Sequence, residues 1–163
     1  METEEIGELV PPELLIFNGN WPEYEELLHK VFLDTIWNNR LVFCGLPVKV
    51  RRHEEYNGKH FGFWHLTSEG EKEEERTPDF RRCERLHWVS WVIMNIDRAP
   101  GLFSWWENNR GSKKHVVLWC EKYNYAVVLA KRERHFLIKT AYVVDSRRAA
   151  GFREERNKFY KRK

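Results

Sequence analysis

Side chains that could handle a phosphate are concentrated in three stretches of the chain, 59–68, 76–85 and 135–145. Histidine can accept or donate a proton near neutral pH, and arginine binds phosphate through a bidentate fork. RNA cleavage without a metal needs a base for the 2′-hydroxyl, an acid for the leaving oxygen and cations for the scissile phosphate. The residue types of these stretches therefore predict metal-independent chemistry on RNA.

Strand geometry ranks the candidates for proton transfer. Segment 60–67 is rich in aromatic residues, which predicts a β-strand. Side chains alternate between the faces of a strand, so His60 and His65, five residues apart, point oppositely. We prefer His65, because it follows the aromatic run and precedes Thr67, and keep His60 as a secondary candidate. A buried histidine that hydrogen-bonds to backbone is the alternative for either residue.

The strand predicted at 134–144 supplies three more catalytic candidates. Thr140 and Tyr142 share a face, and Lys139 lies on the other, so Lys139 ranks lower. The alternative for Tyr142 is a core tyrosine whose hydroxyl reaches the surface.

Arginines in a predicted helix supply the phosphate clamp. Arg81 and Arg85 are four residues apart and share one helix face, which completes the catalytic set. Arg82 points elsewhere, and Arg76 could pair with the glutamates before it, so both are secondary. Arginines solvated beside Glu84 are the alternative.

Contacts with the rest of a nucleic acid have their own candidates. The Trp105-Trp106 pair could stack on bases, or could plug the hydrophobic core instead. Arg147 and Arg148 begin a basic C-terminal helix that suits contact with a nucleic-acid backbone.

Residues 58–145 resemble a known group of nucleases. The segment Lys139-Thr140-Ala141-Tyr142 closes a predicted meander, with Trp64-His65 and Arg76-Thr77-Pro78-Asp79 upstream. In these features the chain resembles the barnase–EndoU–colicin–RelE group of ribonuclease toxins, and more narrowly its phage and mobile-element nuclease domains. The resemblance implies that the His, Arg, Lys, Thr and Tyr side chains form an RNA-cleaving set, and that an antitoxin or immunity protein is a partner. The acidic N-terminal segment has no counterpart in that group.

Charge is distributed unevenly along the 163 residues. Residues 1–28 contain eight Glu and no Lys or Arg, whereas residues 131–163 contain twelve Lys or Arg against four Asp or Glu. A basic end of this kind predicts a polyanionic partner, RNA or DNA. The acidic segment 1–19 is expected to be a solvated tail, although it could cover the basic surface.

Cofactors and membranes are not expected. The three cysteines, Cys44, Cys83 and Cys120, are widely spaced and form no C-x-x-C pair, so neither a zinc site nor a disulfide framework is predicted. The carboxylate cluster of a magnesium nuclease is missing as well. We see no signal peptide and no apolar run near the roughly 18 residues that span a bilayer, so a cytoplasmic location is expected.

The elements that position these residues follow from caps, periodicity and turns. Asn20 caps a first helix that ends near Asn38, Thr77-Pro78-Asp79 starts a second that reaches about Asn95, and a loop covers 97–113. Short connectors join the three predicted strands, 114–120, 124–131 and 134–144, and a last helix covers about 146–162. The predicted fold class is α+β: helices packed on a twisted antiparallel sheet that ends in a three-stranded meander, as one domain over 20–163.

The sequence thus predicts a toxin-type endoribonuclease that cleaves RNA by 2′-hydroxyl attack and leaves a 2′,3′-cyclic phosphate. A catalytic site should gather His65, an arginine and Tyr142 around one cleft. A non-catalytic nucleic-acid-binding module, or a phage or mobile-element regulator, would scatter these residues and keep the basic stripe. An interaction protein with an aromatic surface is a third alternative.

Overall fold

A computed structural model of the chain describes residues 9–51, 55–56, 58–70 and 76–161. In chain order the elements are α1 (Trp21–Phe32), a π-helical segment (Leu33–Trp37), β1 (Leu41–Phe43), β2 (Leu46–Lys49), β3 (Glu55–Tyr56), β4 (Lys59–His60), α2 (Phe61–Thr67), β5 (Ser68–Glu69), β6 (Thr77–Pro78), α3 (Phe80–Glu84), α4 (Trp88–Asn95), β7 (Phe103–Arg110), β8 (Lys113–Cys120), β9 (Tyr125–Lys131), β10 (Phe136–Val143) and α5 (Ser146–Lys161). None of the described helices is long and apolar enough to cross a membrane.

The main sheet is curled and mostly antiparallel, which confirms the α+β class. It has six strands in the order β1-β2-β10-β9-β8-β7. Strands β7 to β10 pair antiparallel in sequence order, whereas β2 pairs parallel with β10 through Val48↔Phe136 and Lys49↔Leu137. The predicted loop 97–113 is wrong, because β7 lies inside it and adds a fourth strand to the three predicted ones.

Two hydrophobic clusters cover the two faces of the sheet. On one face, Leu118, Val127 and Ile138 pack with side chains of α1 to α4. On the other face, Trp106 and Trp119 are buried beneath Phe152 of α5. Burial of each large apolar side chain contributes about 1.5–3 kcal/mol, so both helical layers are firmly held to the sheet.

The predicted helix caps are confirmed, and one predicted helix is split. The Asn20 side chain accepts a hydrogen bond from the Glu23 amide at 3.2 Å, and Asp79 accepts from the amides of Arg81 and Arg82. The helix expected to run on to Asn95 is interrupted at 85–87, which separates α3 from α4.

The strand predicted over 60–67 is wrong, because Phe61–Thr67 forms helix α2. Its buried residues Gly62, Phe63, Leu66 and Thr67 recur at helical rather than alternating spacing. Packing of this stripe on the core overrides the β-propensity of the aromatic residues. The alternation argument for the histidines therefore does not apply: His60 is the N-cap of α2, and His65 lies in its last turn.

The described part of the acidic segment is not a solvated tail. Leu9, Leu15 and Phe17 pack against the main core. The Leu15 amide donates to the Glu84 carbonyl at 3.0 Å, and the Trp88 indole donates to the Pro12 carbonyl at 2.9 Å. This segment is a strap over α3 and α4; residues 1–8 lie outside the described residues.

Candidate functional site

A β-bulge in β10 directs Lys139 out of the regular sheet. Ile138 pairs with Leu129 and Thr140 pairs with Val128, the next residue of β9, so Lys139 is the extra residue. A bulge of this kind bends the strand and re-aims the side chain that it carries. Here the bulged segment, Leu137 to Lys139, forms one wall of a small pocket of about 40 Å³.

The opposite wall of this pocket brings together α2 and the chain that follows β2. We call the pocket the basic pocket; its lining residues are Arg51, Gly62, His65, Leu137, Ile138 and Lys139. A Cβ at Gly62 would lie 3.2 Å from the Val50 Cβ, so glycine allows α2 to approach this closely. The Phe61 ring lies between two of the polar groups, 5.1 Å from the Arg51 guanidinium carbon and 6.0 Å from the His65 ring, between centroids.

Cations surround Lys139 at the basic pocket. Burial, followed by the charges of Lys113, Arg132 and Arg51, lowers the pKa of Lys139 from its ordinary value. Burial disfavours a charge of either sign, whereas the three neighbouring cations contribute a positive potential at Lys139. A bound phosphate would relieve this repulsion and accept charge-assisted hydrogen bonds.

Thr140 and Tyr142 share a face, as predicted, but the structure does not bring them to His65. The Tyr142 ring packs against the cluster beneath α5, 6.5 Å from Phe152, and the Arg148 guanidinium carbon lies 5.9 Å from its centroid. Neither Thr140 nor Tyr142 lines the basic pocket. Lys139, ranked below them from the sequence, is the β10 residue beside His65.

The predicted phosphate clamp of Arg81 and Arg85 also lies away from the basic pocket. Arg85 Nη1 is 3.5 Å from the Glu84 carboxylate and donates to the Arg81 carbonyl at 3.2 Å. Its guanidinium carbon is 5.2 Å from the Trp88 ring centroid. Arg81 is exposed. Arg85 is the C-cap that follows α3, and neither arginine lines the basic pocket with His65.

The two secondary arginines hold the C-terminal turn of α2 in place. Arg82 Nη1 donates to the carbonyls of His65 (3.3 Å) and Ser68 (3.1 Å). Arg76 donates to the Ser68 carbonyl and hydroxyl (2.5 and 2.9 Å) and to the Gly70 carbonyl (2.7 Å). Cations at a helix C-terminus satisfy its last carbonyls and complement its dipole. Arg82 is therefore a positioning residue for His65, and Arg76 steadies the strand that follows.

His60 lies at the other end of α2. Its ring stacks on Trp37 with centroids 3.9 Å apart and an interplanar angle of 11°. Its Nδ1 is 3.8 Å from a Glu55 carboxylate oxygen. The basic pocket therefore contains one of the two candidate histidines.

The predicted base-stacking pair is divided between two environments. Trp106 is fully buried, and its indole donates to the Glu155 carboxylate at 3.1 Å, so it is a core residue rather than a stacking surface. Trp105 is half-buried with its ring 5.4 Å from Phe43.

Arg147 and Arg148 lie at the start of α5. Together with Asp145 and Gly151 they line an open depression of their own. Arg148 reaches towards Tyr142, so this depression belongs to the α5 side of the sheet rather than to the basic pocket.

Sequence reasoning missed Arg51, Lys113 and Arg132. Each is a basic residue in a polar stretch with no motif around it. Only the pairing of distant segments places them around Lys139. The bulge that selects Lys139 has no glycine or proline to mark it.

Two further findings bear on the site. Among the described residues, no group of three or more His, Cys, Asp or Glu could hold a metal ion. No protein family, curated protein or solved structure matches this chain.

Proposed function

We propose that this protein is a metal-independent endoribonuclease that cleaves RNA by attack of the 2′-hydroxyl on the adjacent phosphate. The observation that carries the proposal is the basic pocket, in which His65 lies beside the cations of Lys139 and Arg51. A proton-transfer group next to a concentrated positive charge is the minimum that this reaction needs.

The reaction assigns one role to each of these side chains. His65 takes the proton of the 2′-hydroxyl, the 2′-oxygen attacks phosphorus, and the bond to the 5′-oxygen breaks. Lys139 supplies the proton that the 5′-oxygen takes up, since a lowered pKa makes a lysine a better acid. The guanidinium of Arg51 stabilises the negative charge that develops on the phosphate, and the charges of Lys113 and Arg132 add to this effect. The products are a 2′,3′-cyclic phosphate and a 5′-hydroxyl.

Cleavage of a labelled RNA by purified variants tests these roles. His65→Ala is expected to lower the rate by about 10²–10⁴. Lys139→Arg keeps the charge but cannot give up a proton, so it should retain RNA affinity and lose turnover. Lys139→Met should lose both.

Matched controls separate chemistry from folding and from net charge. His60→Ala removes the histidine outside the basic pocket, and Lys30→Met removes an exposed lysine of α1, whose side chain is 77% exposed. Lys30→Met should cleave RNA like the wild type, and His60→Ala should lose much less rate than His65→Ala, with circular dichroism confirming the fold. A wild-type rate for His65→Ala would refute the proposal, and so would equal losses for His60→Ala and His65→Ala.

A non-catalytic nucleic-acid-binding module is the second candidate. It is favoured by the separation of Tyr142, Thr140, Arg81 and Arg85 from His65. Under this function the wild type binds RNA through the basic pocket and α5 without cutting it. RNA that is bound but recovered intact, under conditions where Lys139→Met no longer binds it, would decide for this alternative.

We also propose the toxin role implied by the resemblance, acting in the cytoplasm against a cellular RNA and countered by an antitoxin or immunity protein. Induced expression in a bacterial host should arrest growth, and His65→Ala should abolish the arrest. Unimpaired growth with intact RNA, at matched expression, would contradict this role.

A further inference from the structure

A second cleft lies beside the basic pocket, between the end of the π-helical segment and the β1–β2 hairpin. We call it the hairpin cleft. Its volume is about 290 Å³, and it is lined by Ile36, Trp37, Asn39, Arg40, Leu41, Val42, Pro47, Val48, Lys49 and Val50. This volume is close to the lower end of the range for small-molecule sites, about 300–1,000 Å³.

The lining of the hairpin cleft is an apolar wall with a basic rim. Val42 and Pro47 are exposed and Trp37 is half-buried, so apolar surface faces solvent here. Arg40 and Lys49 are exposed on the rim, and none of the described residues that line the cleft is acidic. An apolar wall accepts the flat face of a nucleobase, and rim cations accept the phosphates on either side of it.

The hairpin cleft adjoins the basic pocket in the chain and in the sheet. Lys49 lines the cleft, and its register partner Leu137 lines the pocket. Arg51 of the pocket follows Lys49 by two residues. Lys49 and Arg51 are exposed, and Val50 between them is buried. The two sites are therefore neighbours along this segment of the chain, within reach of one strand of RNA.

We propose that the hairpin cleft is a binding subsite for a nucleotide that flanks the scissile phosphate of single-stranded RNA. The base lies against Val42, Pro47 and Trp37, and its phosphates pair with Arg40 and Lys49. This proposal rests on the proposed function for the place of the scissile phosphate. The subsite itself is measured by binding alone.

The test uses 2′-O-methyl RNA octamers, which lack the attacking hydroxyl and stay intact. Affinity is measured by fluorescence anisotropy at several salt concentrations. Arg40→Ala/Lys49→Ala is expected to weaken binding about tenfold, and to reduce the slope of log K against log salt by about 1.4, or 0.7 for each lost single-strand phosphate contact. The matched control is Lys30→Ala/Lys122→Ala, which removes the same charge from two exposed side chains outside the proposed sites and should change neither quantity as much.

Two further measurements test whether a base, and not only a phosphate, is bound. Val42→Ser, at a position 54% exposed, should weaken binding severalfold without a change in the salt slope. An abasic octamer should bind the wild type more weakly than the full octamer and should be insensitive to Val42→Ser.

The outcomes separate this inference from the proposed function. If the wild type cleaves RNA but Arg40→Ala/Lys49→Ala binds the octamer like the control, the subsite is overturned and the ribonuclease stands. If the wild type never cleaves but the double variant and Val42→Ser lose binding as described, catalysis fails and the subsite stands. Equal affinity for the abasic and full octamers overturns the subsite in either case.

Discussion

Replacement of Lys139 by methionine should make the free protein more stable while it removes phosphate binding. Burial lowers the pKa of the wild-type side chain, and repulsion by the positive charges of Lys113, Arg132 and Arg51 lowers it further. Methionine keeps the apolar stem and removes the charge. The substitution therefore relieves a repulsion that the folded state has and the unfolded chain largely lacks.

The expected gain is small because Lys139 is exposed and water screens the repulsion. Interactions between exposed charges are worth about 0.2–1 kcal/mol each. The repulsion from Lys113, Arg132 and Arg51 together therefore amounts to about 1 kcal/mol at low salt. For a domain of this size, that corresponds to a rise of about 2–4 °C in Tm.

The assay is thermal denaturation at low and high salt, with and without the octamer. The gain should disappear at 1 M salt, where the Debye length is about 3 Å. Saturating octamer should reverse the order, because a ligand at 100 times its Kd adds about 2.7 kcal/mol to the wild type and little to Lys139→Met. The control Lys30→Met breaks the pair with Asp34, at 3.7 Å, and should lower Tm slightly. A destabilised Lys139→Met protein at low salt would refute the view of the basic pocket as a cluster of like charges.

The difference in stability between the wild type and Lys139→Met should also shrink as pH rises. The pKa of Lys139 in the folded protein lies below the ordinary 10.5, so the wild type gains stability as pH rises from the folded pKa to the ordinary one. RNA cleavage is expected to be unchanged by EDTA, since His65 and Lys139 supply proton transfer and charge; loss of activity that Mg²⁺ restores would contradict this. Burial lowers the pKa of His87, whose Nε2 donates to the Glu13 carbonyl at 2.5 Å, so stability should fall as pH drops below the ordinary histidine value of 6.5. His87→Gln should reduce this loss of stability in a denaturation series from about pH 8 to 5. A residual pH dependence should remain from His29, whose pKa is also lowered. An unaltered pH dependence would exclude His87 as the cause.

Local signals predicted the elements that local chemistry determines. The caps at Asn20 and Asp79 are confirmed, because a side chain that accepts from amides two or three residues ahead is read directly from sequence. The strands β8, β9 and β10 are confirmed for a similar reason, since their connectors are short. Strand β7 is not predicted, because Pro100-Gly101 and the polar stretch 108–112 make the interval resemble a loop, although that stretch overlaps the end of the strand.

Tertiary packing produced the differences that matter for the site. Seven residues are too few to show helical periodicity against strong aromatic β-propensity, so α2 was predicted as a strand. The strand prediction also places His65 on one face of a sheet, because side chains alternate between faces in a strand, and this alternation does not exist in a helix. Of the two histidines, His65 lines the basic pocket, and the preference for it over His60 stays a prediction.

The arginines illustrate the same limit. Two of the four arginines in 76–85, Arg81 and Arg85, are predicted to form a clamp, because guanidinium groups suit phosphate. In the structure Arg76 and Arg82 bind the carbonyls at the end of α2, and Arg85 pairs with Glu84. The unpaired carbonyls at the end of a helix bind guanidinium groups as readily as a phosphate ligand does. Sequence alone does not distinguish an arginine that caps a helix from one that binds a ligand.

Three irregularities coincide at one edge of β10, and together they argue for a function there. Pairing with β2 ends at Leu137, the bulge follows at Lys139, and α2 approaches closely through Gly62. A regular sheet would continue its hydrogen bonds through this space and leave no pocket. The side chains around the gap add repulsion rather than stability, which a purely structural arrangement does not require. Under the proposed function, an anion bound between them would offset these charges, and His65 would act on that anion.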